Sequence, residues 1–158
     1  MRLEELNRLD AAALSGALRH CCGSSVWVAK MGGMFPMGSV MELYAAASAV
    51  WRGCGEGDWL EAFGAHPKIG ERVTGVAAAE QAGTSVAAAE VLDALAEGNK
   101  RYFEKFGYIF IVCATGKSAV EMLELLRGRL GNEPEKEILV AMGEQEKITR
   151  IRLEKLLS

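Results

Sequence analysis

Residues 86–107 read VAAAEVLDALAEGNKRYFEKFG, and the apolar run YIFIVCA follows at once over 108–114. The first stretch is rich in Ala, Leu and Glu, which are strong helix formers. Gly107 is the residue type that most often ends a helix, because it adopts the left-handed conformation without strain. The run after it has the composition of a β-strand, but the chain shows no second strand to pair with it. We therefore predict a helix running to Phe106 and then a buried, extended connector near residues 108–114.

The remainder of the chain also favours helices, since only three prolines interrupt it. Good N-cap residues stand before several apolar stretches, and Ser39 has Glu42 three residues on, as in a capping box. The predicted helices run from Asp10 to about Cys22, from Ser24 or Ser25, from Ser39 to Trp51, from Asp58 to Phe63, from Val76 with a pause at 83–85, from Ser118 to Leu130, and from Pro134 nearly to the end. A Gly/Met-rich loop over 31–38 and an irregular stretch over 64–75 separate them. The fold class predicted is all-α, a single-domain helical bundle over 1–158.

Length and charge narrow the possible classes of protein. The chain has 158 residues and a net charge of −3, with acidic and basic residues interspersed. A nucleic-acid-binding protein would show a clustered basic surplus, which is missing here. The longest apolar run is far short of the roughly 20 residues that span a bilayer, and the N-terminus lacks the apolar part of a secretory signal. We expect a cytoplasmic protein without a nucleic-acid or membrane partner.

The four cysteines indicate neither a disulfide framework nor a zinc site. Cys21, Cys22, Cys54 and Cys113 form no CxxC pair, and adjacent cysteines rarely bridge each other. We expect reduced, mostly buried thiols and no metal.

Residues 114–118, ATGKS, look like the end of a phosphate-binding P-loop. The full motif needs a glycine at position 111, where this chain has Ile111. Without that glycine the loop cannot wrap its amides around phosphates. The sequence therefore favours Lys117 as a solvated residue at a helix start.

Of the two histidines, His66 has the surroundings of a catalytic group. It lies in a flexible loop and precedes the rigid Pro67, and imidazole titrates near neutrality, which suits a general acid or base. His20 lies late in a predicted helix, where a cation is favourable, so we interpret it as structural.

The last helix carries a polar interruption of an apolar stripe. Positions 141, 145, 148, 152 and 156 share one helix face, and Gln145 and Arg152 are its polar members. A guanidinium on a partly buried stripe must find an anion. That anion is either a ligand or an internal carboxylate, and the residues alone leave both open. Glu80, in an Ala-rich helical segment, is by itself typical of a solvated glutamate.

Taken together, several short motifs give the chain a family resemblance over nearly its whole length. It resembles the 2-oxo-4-hydroxy-4-carboxy-5-ureidoimidazoline (OHCU) decarboxylases, the third enzymes of the uricase route from urate to allantoin. The motifs, in order, are HPKIG at 66–70, Glu80-Gln81, Asn99-x-x-Tyr102-x-x-Phe106-Gly107, FIVC at 110–113, and Glu144-x-x-Lys147-Ile148-x-x-x-Arg152-Leu153.

The resemblance implies a site. His66, Glu80 and Arg152 match the catalytic residues of the family, and Gln81 completes its Glu-Gln pair. The substrate-binding positions implied are Pro67, Ala77, Gln81, Phe110, Ile111, Val112, Cys113 and Ala114. At Ala77 animal-type members carry a serine, so the contact made by that hydroxyl is absent or replaced here.

The resemblance also implies a carboxy-lyase that forms (S)-allantoin from a small-molecule substrate, as a homodimer. No cofactor is expected, since the substrate's own C=N bond can accept the electrons released with CO2. The alternative is a non-catalytic helical interaction module. The amphipathic last helix and the Met-rich loop favour this alternative. Convergence of His66, Glu80 and Arg152 on one pocket would distinguish the enzyme from the module.

Overall fold

The computed structural model describes residues 1–67 and 86–158. Over these residues the chain forms helices and no strand, which confirms the all-α prediction. In chain order the helices are α1 (Leu3–Asn7), α2 (Ala11–Cys21), α3 (Ser25–Gly32), α4 (Val40–Arg52), α5 (Glu56–Gly64), α6 (Val86–Phe106), α7 (Ala119–Leu130) and α8 (Pro134–Leu156). None of them combines the length and the apolar character needed to cross a membrane.

The chain divides into two compact units. The first contains Met1–Ala65 and Met142–Ser158, and the second contains His66–Ala141. Helix α8 contributes its first residues to the second unit and the remainder to the first.

Side-chain caps fix where four of the eight described helices begin, as predicted. Each cap oxygen accepts a hydrogen bond from the N–H group three residues on, which satisfies one of the free donors of the first turn. The caps are Asp10 for α2, Ser24 for α3, Ser39 for α4 and Ser118 for α7. Glu121 also accepts from the Ser118 N–H at 3.3 Å, completing a capping box.

Some predicted boundaries were wrong. Helix α5 begins at Glu56, and Asp58 is not its N-cap but accepts from the N–H of Gly55 at 2.9 Å. The capping box predicted that Glu42 would accept a hydrogen bond from the N–H of Ser39. It accepts instead from the N–H of Gly38, at 2.7 Å. Two residues of the predicted Gly/Met-rich loop, Met31 and Gly32, belong to α3, and the short helix α1 was not predicted. The predictions over 68–85 lie outside the described residues.

The core of the first unit is built on two buried tryptophans. Trp27 and Trp51 are almost fully buried, and each finds a backbone acceptor for its indole N–H. Trp27 donates to the carbonyl of Ala47 at 3.1 Å, and Trp51 donates to that of Met142 at 2.9 Å. The second bond ties α4 to α8. All four cysteines of the chain are buried free thiols, as predicted.

The core of the second unit depends on close packing of α6 against α7. Gly98 makes this approach possible, because a Cβ atom there would lie 2.5 Å from a methyl carbon of Leu126. Leu95, Tyr102 and Leu126 of these two helices are fully buried. Gly107 then ends α6 with φ of 84°, and its N–H bonds the carbonyl of Phe103 at 2.8 Å.

The left-handed conformation of Gly107 gives a stability prediction. Gly107→Ala should lower the free energy of unfolding by about 1–2 kcal/mol, because a Cβ is strained at positive φ. Nothing lies within 4 Å of the added Cβ, so strain is the only cost. Gly128→Ala is the matched control, since it lies in α7 of the same unit with open space around it. The control should gain about 0.5–1 kcal/mol. Urea unfolding of both variants checks this, and equal effects would contradict it.

Candidate active site

The connector between α6 and α7 is buried but has no regular secondary structure. Phe110, Ile111, Val112 and Cys113 are each at most 6% exposed, and Ala114 is half-buried. This confirms the buried connector predicted from the composition of 108–114. Buried backbone outside a helix or sheet needs other partners for its polar groups. The side chains around the connector supply only some of them.

Arg129 of α7 is the main side-chain partner of the connector backbone. Its Nη1 donates to the carbonyl of Ile111 at 2.5 Å, and its guanidinium carbon lies 4.5 Å from the centre of the Phe110 ring. The side chain is only 9% exposed. One buried cation therefore contacts the connector through both a hydrogen bond and a cation–π interaction.

The charge of Arg129 is balanced by Glu137 near the start of α8. Nε and Nη2 of Arg129 lie 2.8 and 2.6 Å from Oε2 of this fully buried carboxylate. Asn132 donates to the other oxygen at 2.9 Å, and the hydroxyl of Tyr102 also donates to Oε2. Burial, reinforced by that bond, raises the pKa of Tyr102, so its hydroxyl remains a donor. We refer to Tyr102, Arg129, Asn132 and Glu137 as the Arg129 cluster.

The Arg129 cluster leaves some backbone donors of the connector unused. Among the residues that the structure describes, none accepts a hydrogen bond from the N–H groups of Phe110, Ile111 or Val112. Buried N–H groups are rarely left in this state in native proteins. The arrangement is suited to a small ligand that brings its own acceptors.

Sequence reasoning missed the role of the Arg129 cluster. Tyr102 belonged to a recognised motif but was given no function, and Arg129 and Glu137 were not singled out. A signal existed, because Met122, Leu126 and Arg129 lie on one buried stripe of α7. This is the same kind of pattern that drew attention to Arg152.

His66 lies in the second unit, two residues after Gly64, the last residue of α5. It is half-buried, whereas Pro67 is exposed. Ala77, Glu80 and Gln81 lie outside the described residues.

Arg152 lies in the first unit, on α8, and is half-buried. Its Nη1 lies 3.4 Å from the carbonyl of His20, in the last turn of α2. Its charge also lowers the pKa of Cys21, but burial is the larger effect and raises that pKa to about 11. Convergence of His66, Glu80 and Arg152 on one pocket stays a prediction, as does the alternative of an internal ion pair at Arg152.

Two details of the sequence interpretation need correction. The most buried face of α8 carries Ala141, Gln145, Thr149 and Leu153, so Arg152 lies at the edge of the buried stripe and not in its middle. Lys117 is not a solvated residue. It is half-buried, and its ammonium group donates to the carbonyl of Cys113 at 2.8 Å. It therefore holds the end of the connector.

Metal ligation has no candidate in the described part of the chain. No group of three His, Cys, Asp or Glu side chains is placed there to hold an ion.

Comparison with known proteins decides the family. The family model described as OHCU decarboxylase matches residues 7–154. The chain belongs to the OHCU decarboxylase family. A crystal structure of OHCU decarboxylase in the presence of (S)-allantoin superposes with a TM-score of 0.76 and 40% sequence identity. The match covers 88% of this chain and 95% of that one.

Two relatives from other organisms are also similar in sequence. The uric acid degradation bifunctional protein TTL of Arabidopsis thaliana is 40% identical over 147 residues, which cover 87% of this chain. The OHCU decarboxylase of Halalkalicoccus jeotgali is 29% identical, with 99% of this chain and 92% of that protein covered. The match covers only 45% of the length of the Arabidopsis protein.

The buried carboxylate gives a second stability prediction. Glu137→Gln keeps the shape of the side chain but leaves the charge of Arg129 buried without its counter-ion. Removing one partner of a buried pair costs about 3–5 kcal/mol in the free energy of unfolding. Glu135→Gln, an exposed change on the same helix, is the control and should stay within about 0.5 kcal/mol of wild type. Chemical denaturation at pH 7 measures both, and similar values for the two variants would contradict the prediction.

Proposed function

We propose that this protein catalyses the decarboxylation of OHCU to (S)-allantoin in urate degradation, without a cofactor. The observation that carries the proposal is the family match over 7–154, which includes every residue given a role. The same resemblance supports a homodimer acting on a small molecule, and the charge and hydropathy of the sequence support a cytoplasmic protein with neither nucleic acid nor membrane as a partner.

The proposed substrate explains why so little protein chemistry is needed. Its carboxylate stands on a ring carbon that also bears a hydroxyl and adjoins a C=N bond. When the bond to CO2 breaks, its electron pair forms a C=C bond to the neighbouring ring carbon, and the ring nitrogen of the former C=N bond takes up a proton. A second proton then adds to that ring carbon. The hydroxyl proton leaves and a carbonyl forms. The protein has to position the ring and manage these protons.

Each proposed side chain has one task in this reaction. His66 hydrogen-bonds the hydroxyl and carboxylate region and handles the proton that accompanies bond cleavage. Glu80 accepts from N–H groups of the ring or the ureido arm, with Gln81 assisting. Arg152 binds a substrate oxygen, because its planar fork fixes direction as well as charge.

The connector is proposed to hold the ring from its backbone. The buried N–H groups of Phe110, Ile111 and Val112 lack a described protein acceptor, which supports binding of a ring carbonyl there. The residues proposed to line this side are 110–114, with Pro67 and Ala77 as further contacts. A dry, asymmetric pocket would deliver the proton to one face of the ring only.

Optical activity gives the sharpest test of the proposed reaction, because OHCU decays spontaneously to racemic allantoin. Urate is converted by uricase and hydroxyisourate hydrolase to OHCU, the protein is added, and ultraviolet absorbance and circular dichroism are followed together. We expect faster loss of absorbance and a circular dichroism signal of (S)-allantoin. Decay at the buffer rate with a racemic product would reject the function.

His66→Ala should abolish most of the catalysis while leaving the fold intact. Loss of a general acid–base group lowers kcat by about 10²–10⁴-fold. The side chain lies in a loop, so the far-ultraviolet circular dichroism spectrum should not change. Near-wild-type kcat in a folded variant would remove His66 from the mechanism.

Arg152→Lys should reduce kcat/KM at least about tenfold, because an ammonium group cannot replace a two-pronged, charged hydrogen bond. Arg150→Lys is the matched control, two residues away on the same helix. Arg150 is exposed, pairs with Glu154 at 2.8 Å and stacks on Tyr44, so its replacement should leave kcat/KM unchanged. Equal kinetics for the two variants would assign Arg152 to an internal ion pair instead.

A further inference from the structure

We propose that Arg129 is a positioning residue that fixes the peptide between Ile111 and Val112, so that the Val112 N–H faces the substrate ring. This inference rests on the proposed function and deepens it. It assigns a positioning role to a buried ion pair that contacts the connector but is not itself expected to touch substrate.

The geometry of one peptide unit carries the first step. Among the described residues the only cis peptide bond is Phe35–Pro36, so the bond between Ile111 and Val112 is trans. In a trans peptide the C=O and the following N–H point in opposite directions within one plane. The Ile111 carbonyl points to Arg129. The Val112 N–H therefore points away from Arg129, and no described protein group accepts from it.

The second step is that Arg129 itself cannot turn. Two of its nitrogens bond Glu137, a third bonds Ile111, and the guanidinium carbon lies 4.5 Å from the centre of the Phe110 ring. Glu137 is held in turn by Asn132 and Tyr102. All these bonds except that of Asn132 are buried, so water does not compete for them. A lysine has no planar fork that could serve the carboxylate and the carbonyl together.

The third step concerns what an apolar replacement would lose. Buried ion pairs can often be exchanged for well-packed apolar residues without loss of stability. Such residues would still pack under Phe110, but they would give the Ile111 carbonyl no donor. The peptide plane could then rotate, and the Val112 N–H would no longer have a fixed direction. Stability and substrate alignment can therefore be separated by experiment.

The triple variant Tyr102→Phe/Arg129→Met/Glu137→Leu makes this separation. It replaces every buried polar side chain of the Arg129 cluster by an apolar one of similar size. We expect a folded protein with a thermal midpoint close to wild type, a kcat lowered about tenfold or more by misalignment, and a smaller change in KM. The enantiomeric excess of (S)-allantoin should also fall. Arg127→Met, an exposed change on the same helix, is the control and should match wild type in all four quantities.

A folded triple variant with wild-type kcat and enantiomeric excess would overturn the proposal and leave the cluster a purely structural role. In that case an active wild-type protein still supports the proposed function. An inactive wild-type protein would instead reject the proposed function, and this inference with it.

A measurement on wild-type protein keeps the test independent of the variant's folding. In ¹⁵N-labelled protein titrated with (S)-allantoin, the amide resonance of Val112 should shift in a saturable way, whereas that of Arg127 should not. Saturable binding of allantoin that leaves the Val112 amide unchanged would also overturn the proposal.

Discussion

A guanidinium and a carboxylate, both buried away from water, hold an irregular connector of this helical protein in place. The connector after α6 has no ladder of backbone bonds, yet most of it is buried. Arg129 satisfies the carbonyl of Ile111, and Glu137 satisfies Arg129. Without this pair the Ile111 carbonyl would lose its donor, and apolar contacts do not specify the direction of a peptide plane.

The fixed direction of the connector peptide also matters for the chemistry proposed for this protein. A ligand with ring carbonyl and N–H groups needs donors and acceptors in fixed directions, and backbone amides provide them without side-chain entropy. Gly98 and Gly107 serve the same end. The first lets α6 approach α7 closely, and the second ends α6 so that the chain turns into the connector. The catalytic side chains proposed to contact the substrate come from other segments. In the proposed site, the connector backbone fixes the ring in position relative to them.

Local signals in the sequence predicted much of the fold. Asp10 and Ser118 cap helices because a short polar side chain before an apolar stretch needs no tertiary partner to do so. Gly107 was predictable for the same reason. Asp58 was misplaced because an acidic residue suits both the N-cap and the third helical position, and only the N–H of Gly55 distinguishes the two.

Tertiary effects account for the rest. The buried stripe of α8 runs through Thr149 and Leu153, and this small rotation from the predicted face depends on what α8 packs against. The stripe of α7 marks Arg129 as buried, but its partners could not be seen along the chain, since Glu137 lies beyond a helix end and Tyr102 lies on another helix. The family motifs pointed to His66, Glu80 and Arg152, but sequence motifs do not give the distances between these side chains.

A crystal structure of the protein with (S)-allantoin bound tests the central claim most directly. The account predicts one ligand contacted by His66, Glu80 and Arg152, with the N–H of Val112 within hydrogen-bond distance of a ring oxygen and the Ile111 carbonyl still on Arg129. Allantoin bound at a place that lacks these side chains, or a Val112 amide turned away from the ring, would contradict it.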